Sequence, residues 1–186
     1  DEVDDIIRKL KELIKELREK SKRISEENKR LVRRLEELSR RIIKEIKDLL
    51  EELKDRARKD RDKETLRKIL REIEERVKRL AEESRRLSKT VTDESKKLMD
   101  KSRETSRRLE ETVERLIRDL EEKLKDVEEV KDKLRRIKEE ADKAIKDNED
   151  LLRRNERENR EAVKRNEELL KEVRREVEEV IRRTRK

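Results

Sequence analysis

Serine and asparagine are the residue types of this chain that could do chemistry inside a folded protein. Both side chains donate and accept hydrogen bonds, and both stand at helical spacing where an apolar stripe would otherwise continue. Four asparagines lie in the last third of the chain, at Asn148, Asn155, Asn159 and Asn166. Together they could coordinate a small polar molecule, hold water, or bond to serines on neighbouring elements.

Catalytic chemistry lacks its usual partners in this sequence. Nucleophilic catalysis requires an activated Ser, Cys or Lys beside a positioned base, and the chain has no His and no Cys. Carboxylate-bridged metal sites in helical bundles use Glu-x-x-His, and phosphate-binding loops need glycine, which is also missing. Pairs of acidic residues follow from abundance alone, since charged residues make up 61% of the chain. We therefore expect no enzyme activity, no metal and no cofactor.

The elements that carry these side chains must be helices. The 186 residues include no Gly, Pro, Cys, His or aromatic residue, although ordinary usage of Gly and Pro predicts about 22 of those two alone. The missing types are the ones that break helices and make tight turns. A charge content this high often signals disorder, but disorder does not predict a sustained helical period.

Three apolar stripes repeat at intervals of three and four residues, as one face of a helix does. The first comprises Val3, Ile6, Leu10, Leu13, Leu17, Ile24, Leu31, Leu35, Leu38, Ile42, Ile46, Leu49 and Leu53. The second comprises Leu66, Leu70, Ile73, Val77, Leu80, Leu87, Val91, Leu98, Leu109, Leu116 and Leu120. The third comprises Val127, Val130, Leu134, Ile137, Ala141, Ile145, Leu152, Val163, Leu170, Val173, Val177 and Val180.

Further apolar residues beside the stripes widen the buried face beyond a two-stranded seam, which favours three or more packed helices. They are Ile7, Ile14, Val32, Ile43, Leu50, Ile117, Leu169 and Ile181. From Leu66 to Leu120 the stripe spans 54 residues in 15 turns, close to the 3.6 residues per turn of a straight helix.

The stripes break phase at Lys59–Glu64 and again near Lys125-Asp126, where Asp126 can cap the third helix. Connections this short make neighbouring helices antiparallel. We predict an all-α fold, an up-down-up antiparallel three-helix bundle of long, nearly straight, coiled-coil-like helices. Residues 1–186 form one elongated domain, with helices over about 2–59, 63–124 and 127–184, each about 85 Å long at 1.5 Å per residue.

Polar residues interrupt the three stripes at matching heights. In a bundle with these turns, three layers come into register: Ser21, Ser102 and Asn148; then Ser25, Asn28, Ser95, Asn155 and Asn159; then Ser39, Ser84, Ser88 and Asn166. An unpaired polar group in an apolar core costs roughly 1–3 kcal/mol. Layers of mutually bonded Asn and Ser therefore penalise wrong registers and wrong helix pairings. The alternative is a polar channel or ligand site built from the same residues.

Charge is spread evenly along the chain. The net charge of +8 divides into +3, +3 and +2 over residues 1–60, 61–126 and 127–186. Nucleic-acid binders concentrate positive charge and often add stacking aromatics, so we expect no specific nucleic-acid partner; weak adhesion to polyanions at low salt stays open.

Membrane insertion and secretion are not indicated. No more than two apolar residues are consecutive, far fewer than the about 20 that a spanning helix needs, so we expect no membrane partner. The N-terminus is acidic and has no apolar signal core. Localisation is left open, although the chain is consistent with cytoplasmic recombinant expression.

The sequence resembles computationally designed, parametrically generated helical bundles with buried hydrogen-bond networks. Glycine-free turns, surface runs such as residues 33–38 (RRLEEL) and the Asn/Ser layers carry the resemblance along the whole chain. It implies an idealised backbone, high thermal stability and no natural substrate. Natural spectrin-like three-helix repeats usually carry core aromatics, which this chain lacks.

Three functional hypotheses follow. The first is a monomeric engineered scaffold, or a test of buried polar layers, that requires no partner. The second is a designed interaction module, a homo-oligomer or half of a hetero-complex, in which Ile7, Ile14, Val32, Ile43 and Leu50 are exposed in the lone chain. The third is a natural cytoskeletal or tethering coiled coil.

Overall fold

Three helices make up the computed structural model, which describes residues 2–59, 62–124 and 127–185. They are α1 (Glu2–Lys59), α2 (Lys63–Lys123) and α3 (Glu128–Arg185). Each end lies within one residue of the predicted ranges. The predicted fold class is confirmed: the protein is an all-α three-helix bundle.

The helices run without interruption, as expected for a chain that contains neither Gly nor Pro, the two strongest helix breakers. Within the described chain there is no cis peptide bond and no residue with positive φ. The first turn of α1 is acidic (Glu2, Asp4 and Asp5) and its last turn is basic (Arg56, Arg58 and Lys59). Both placements favour the helix, since they complement the partial charges at its ends.

Asp62 caps α2. Its carboxylate accepts hydrogen bonds from the backbone N–H of Glu64 (3.1 Å) and from the Thr65 hydroxyl (3.1 Å), and its carbonyl accepts from the Leu66 N–H at 3.1 Å. These bonds satisfy N-terminal groups that have no partner within the helix. The corresponding prediction for α3, a cap at Asp126, lies outside the described residues.

The chain divides into two compact units. Unit 1 comprises residues 1–29 and 94–157, and unit 2 comprises residues 30–93 and 158–186. Each unit therefore contains a segment of all three helices. The expectation of one elongated domain stays a prediction.

Unit 1 has one aliphatic core in which all three helices take part. Its buried members are Val3, Leu10, Ile14, Leu17, Leu109, Val113, Ile117, Leu120, Leu134, Ile137, Ala141 and Ala144. Leu10 and Ala141 have no exposed surface. Burying a Leu or Ile side chain contributes roughly 1.5–3 kcal/mol, so this cluster is the main source of packing free energy in unit 1.

Unit 2 has two aliphatic clusters. The larger comprises Ile42, Ile46, Leu50, Leu53, Ile69, Leu70, Ile73, Val77, Val173 and Val177. The smaller comprises Leu35, Val91 and Ala162. The residues of the Ser39, Ser84, Ser88 and Asn166 layer belong to neither cluster.

Contacts within unit 1 give the helix directions. Asn28 of α1 bonds to Ser95 of α2, and Ser21 and Ser102 share Asn148. As the residue number falls along α1 it rises along α2, so these helices are antiparallel. Ser21 and Ser25 reach Asn148 and Asn155 in the same order, so α1 and α3 are parallel.

Burial along the predicted stripes is uneven, since several of their residues, such as Ile6, Leu13 and Leu49, are only half-buried. Met99 is buried (3% exposed) whereas Leu98, assigned to the stripe, is half-buried. Consecutive helical residues point about 100° apart, so a small error in phase exchanges them. Val127 is 41% exposed because it precedes the first residue of α3, and Leu169, expected to widen the buried face, is 39% exposed.

Candidate functional site

All twelve serines and asparagines of the predicted layers lie in the protein interior. None is more than 9% exposed. They are Ser21, Ser25, Asn28, Ser39, Ser84, Ser88, Ser95, Ser102, Asn148, Asn155, Asn159 and Asn166. The helical stripes position them, because each replaces an apolar residue on the packed face.

The Asn148 group of unit 1 consists of Ser21, Ser102 and Asn148, one residue from each helix. The Asn148 Oδ1 atom accepts hydrogen bonds from the hydroxyls of Ser21 and Ser102, the latter at 3.0 Å. The Ser21 Oγ atom also lies 2.8 Å from the Leu17 carbonyl oxygen. Since a hydroxyl has one hydrogen, Ser21 donates to one of these two oxygens at a time.

The Asn166 group of unit 2 consists of Ser39, Ser84, Ser88 and Asn166. Asn166 Oδ1 accepts from the Ser39 hydroxyl, while Nδ2 donates to Ser84 Oγ at 2.8 Å and to Ser88 Oγ at 3.0 Å. Ser39 Oγ also lies 2.8 Å from the Leu35 carbonyl oxygen. The Asn166 amide thus bonds through both its oxygen and its nitrogen and joins all three helices.

The Asn28 group, also in unit 1, consists of Ser25, Asn28, Ser95 and Asn155. The Ser95 hydroxyl donates to Asn28 Oδ1 at 2.7 Å. The Ser25 hydroxyl donates to Asn155 Oδ1 over a longer 3.4 Å. Asn159, which the sequence placed in the same layer, belongs to unit 2 and is 8% exposed.

Two buried amide nitrogens have no hydrogen-bond partner among the described residues. They are Nδ2 of Asn148 and Nδ2 of Asn155, both in unit 1. A buried donor left unpaired costs roughly 1–3 kcal/mol. The polar groups of unit 1 are therefore satisfied less completely than the Asn166 group of unit 2.

A groove of about 320 Å³ in unit 1 reaches Ser21, Ser25 and Asn148. Its rim is charged, and Arg18 of α1 approaches Asp147 of α3 there at 3.5 Å. The rim combines three cations (Arg18, Lys22 and Lys29) with two anions (Glu26 and Asp147).

Arg103 of α2 makes the shortest ion pair described in unit 1. Its guanidinium donates to the Glu156 carboxylate of α3 at 2.5 Å and lies 3.9 Å from Glu149. The hydrogen bond to Glu156 raises the pKa of Arg103. Because that pKa is already far above neutrality, Arg103 stays charged near neutral pH. Titration of Arg103 therefore does not make the stability of the protein depend on pH in that range.

The contacts of the interior serines and asparagines described above are hydrogen bonds to amide groups, to hydroxyls and to backbone carbonyls. The hydroxyls of five of these serines face amide or carbonyl oxygens, which do not remove protons as a catalytic base does; they are Ser21, Ser25, Ser39, Ser95 and Ser102. No group of three or more acidic residues lies close enough to hold a metal ion within the described ranges. No described helix combines the length and apolarity that crossing a membrane requires.

Sequence reasoning did not find the α2 cap at Asp62, the Arg103–Glu156 pair or the burial of Met99. The cap had a signal, an Asp directly before the helical pattern. The ion pair had none, since opposite charges abound on every exposed face. Met99 lies four residues after Ser95, which places it on the same buried face.

Comparison with known proteins gives a match in fold. One solved structure, titled "Computationally designed three helix bundle", matches with a TM-score of 0.68 and 19% sequence identity, over 98% of this chain and 88% of that one. No protein-family model and no curated protein matches the chain. The expected resemblance to a designed bundle is confirmed in the fold, and the structure contains the buried Ser/Asn hydrogen bonds that accompany it.

Proposed function

We propose that this chain is an engineered structural scaffold without a natural biochemical function, in which buried Ser/Asn groups hold three helices in one register. The Asn166 group carries the proposal. Its amide bonds to serines of both other helices, so a shift of any one helix would break a bond in the interior. Such groups add little net stability but penalise other arrangements.

The same contacts support a non-enzymatic role. At Asn166 a ligand site would leave polar atoms facing a cavity, whereas this amide directs its oxygen and its nitrogen to protein partners. The similarity to a designed bundle points the same way, as does a chain without His, Cys or Gly.

We propose further that the scaffold is a monomer and needs no partner. The interaction module requires flanking apolar residues to be exposed in the lone chain, but Ile14 and Leu50 are each only 6% exposed. The other three that this hypothesis names, Ile7, Val32 and Ile43, are half-buried. Val127 and Leu169 are the exposed large apolar residues of the described chain. Single exposed apolar residues are normal on soluble proteins.

The test is the solution mass, measured by light scattering on a sizing column over a wide range of concentration. We expect a constant 22.9 kDa. A multiple of that mass would overturn the monomeric scaffold and favour the interaction module.

Leu169→Lys provides the matched variant for this measurement. If the chain associates through its exposed apolar residue in unit 2, the substitution restores the monomer mass. For a scaffold that is already monomeric, the variant and the parent chain elute with the same mass.

A further inference from the structure

The Asn148 and Asn166 groups are embedded in sequence segments that repeat at an interval of 18 residues. In α3, residues 144–152 read AIKDNEDLL and residues 162–170 read AVKRNEELL. In α1, Leu17 and Ser21 correspond to Leu35 and Ser39; in α2, Ser102 and Ser106 correspond to Ser84 and Ser88. Eighteen residues make about five turns, so corresponding residues lie on the same face of each helix.

Contacts on the α1 side repeat as well. Ser21 Oγ lies 2.8 Å from the Leu17 carbonyl oxygen, and Ser39 Oγ lies 2.8 Å from that of Leu35. Each of these serines also bonds to the Oδ1 atom of its own asparagine. The Asn148 and Asn166 amides therefore have equivalent hydrogen-bond partners on α1.

The two groups differ on the α2 side. Asn166 Nδ2 donates to two serines one turn apart, Ser84 and Ser88. At Asn148 the first serine, Ser102, donates to Oδ1 instead, and Nδ2 has no acceptor among the described residues. The counterpart of Ser88 is Ser106, which is half-buried and lines a groove of unit 1 together with Ile145 of α3.

We infer that Ser106 is the fourth member of the Asn148 group: in solution Asn148 Nδ2 donates to the hydroxyls of Ser102 and Ser106, while Oδ1 accepts from Ser21. Ser106 then positions the Asn148 amide as Ser88 positions that of Asn166. The sequence supplies this acceptor at the repeat interval, one turn beyond Ser102, on a residue that already faces α3 in unit 1.

In this arrangement each polar hydrogen of Asn148, Ser102 and Ser106 has a hydrogen-bond acceptor. The two Nδ2 hydrogens go to two serine oxygens, which accept through their lone pairs. The Ser102 and Ser106 hydroxyls then donate to backbone carbonyls four residues earlier, a common bond for helical serines and one whose geometry Ser21 and Ser39 already have. The buried donor of Asn148 is thereby satisfied.

This inference rests on the proposed structural role of the polar groups, but its test is separate from the mass measurement. The chain contains five asparagines and no glutamine, so an NMR spectrum of the ¹⁵N-labelled protein has five side-chain amide pairs. Asn148→Leu and Asn166→Leu, each of which removes one pair, assign the two that matter.

Ser106→Ala is the decisive variant and Ser88→Ala its matched counterpart. We expect Ser88→Ala to shift the Asn166 side-chain amide and Ser106→Ala to shift that of Asn148 by a similar amount. Each substitution should also lower the folding equilibrium constant by about five-fold, the effect of one neutral hydrogen bond. Alanine is a strong helix former, so both variants retain their helices.

Thr105→Ala is the control, since the Thr105 hydroxyl is exposed and bonds to the Lys101 carbonyl oxygen at 3.0 Å. It should leave the Asn148 amide unchanged. An Asn148 amide that does not respond to Ser106→Ala, while that of Asn166 responds to Ser88→Ala, would overturn the inference. An oligomeric mass together with the expected shifts would instead reject the monomeric scaffold, while the hydrogen bond from Asn148 to Ser106 would still be supported.

Discussion

Units 1 and 2 contain a similar polar group but differ in the residues that lie next to it on the three helices. In unit 1 these are the Asn28 group: Ser25, Asn28, Ser95 and Asn155. The residues of unit 2 at the 18-residue interval are Ile43, Ile46, Val77 and Val173, all of which belong to or pack against its larger aliphatic cluster. Positions that correspond in the two units are therefore compatible with either polar or aliphatic side chains.

The difference shows what a polar layer costs. The aliphatic version buries Ile46, Val77 and Val173 to 8% exposure or less, with no polar atom to satisfy. The Asn28 group leaves Asn155 Nδ2 without a partner and holds Ser25 to Asn155 by a long bond of 3.4 Å. Because unpaired buried donors are expensive, unit 1 gives up stability at positions where unit 2 gains it.

The largest expected effect comes from burying a charge at Met99. Met99 and its counterpart Ala81 are both 3% exposed, whereas Leu98 and its counterpart Leu80 are half-buried. We expect Met99→Asp and Ala81→Asp each to lower the free energy of unfolding by roughly 3–5 kcal/mol. Leu98→Asp and Leu80→Asp should cost less, as measured by urea denaturation. A greater cost at Leu98 than at Met99 would contradict the observed phase of α2.

Exchanging the two compositions should have the next largest effect. We expect a chain with Ser25→Ile, Asn28→Ile, Ser95→Val and Asn155→Val to gain about 2–4 kcal/mol in free energy of unfolding, because buried polar partners are replaced together by aliphatic groups. Thermal and urea unfolding of this chain measure the gain. The reverse exchange in unit 2 is the control, and it should destabilise. A loss of stability in the first variant would mean that the Asn28 group is better satisfied than its contacts indicate.

A smaller effect is expected when the asparagines alone are removed. Asn155→Leu combined with Asn159→Leu should retain helicity by circular dichroism and change the free energy of unfolding by about 1 kcal/mol. The register or the oligomeric state should become less specific, which light scattering detects as mixed masses. An unfolded double variant would contradict this expectation, because it would show that the fold depends on the two asparagines for its stability.

The smallest effect concerns surface charge. In unit 1 Arg103 pairs with Glu156, whereas their counterparts in unit 2, Arg85 and Arg174, are two cations that line the same groove. We expect Arg174→Glu to raise the free energy of unfolding by about 0.2–1 kcal/mol. The gain should shrink in 1 M salt, which screens exposed charges. Arg174→Gln removes the positive charge without adding a carboxylate. It therefore measures the effect of removing repulsion between Arg85 and Arg174 without the effect of forming a new ion pair.

Much of the candidate site could be predicted from residue positions alone. Ser21, Ser102 and Asn148 were placed at one height, and the structure brings them together; the same holds for Ser39 and Asn166. Antiparallel helices with short turns make residue number a measure of height. Which amide nitrogen finds an acceptor could not be predicted. It depends on side-chain rotamers and on differences in helix separation of about a few tenths of an ångström.

The sequence by itself determined the number of helices, their ends to within one residue and the apolar stripes that supply most of the buried aliphatic residues. These properties are local: they follow from a period near 3.6 residues and from the absence of helix-breaking residues. Only the tertiary structure decided that Met99 and not Leu98 is buried, that Asn166 is fully bonded, and that Asn155 retains an unpaired donor. Those outcomes depend on how side chains from three helices meet, and hydrogen bonds weaken steeply with distance and angle.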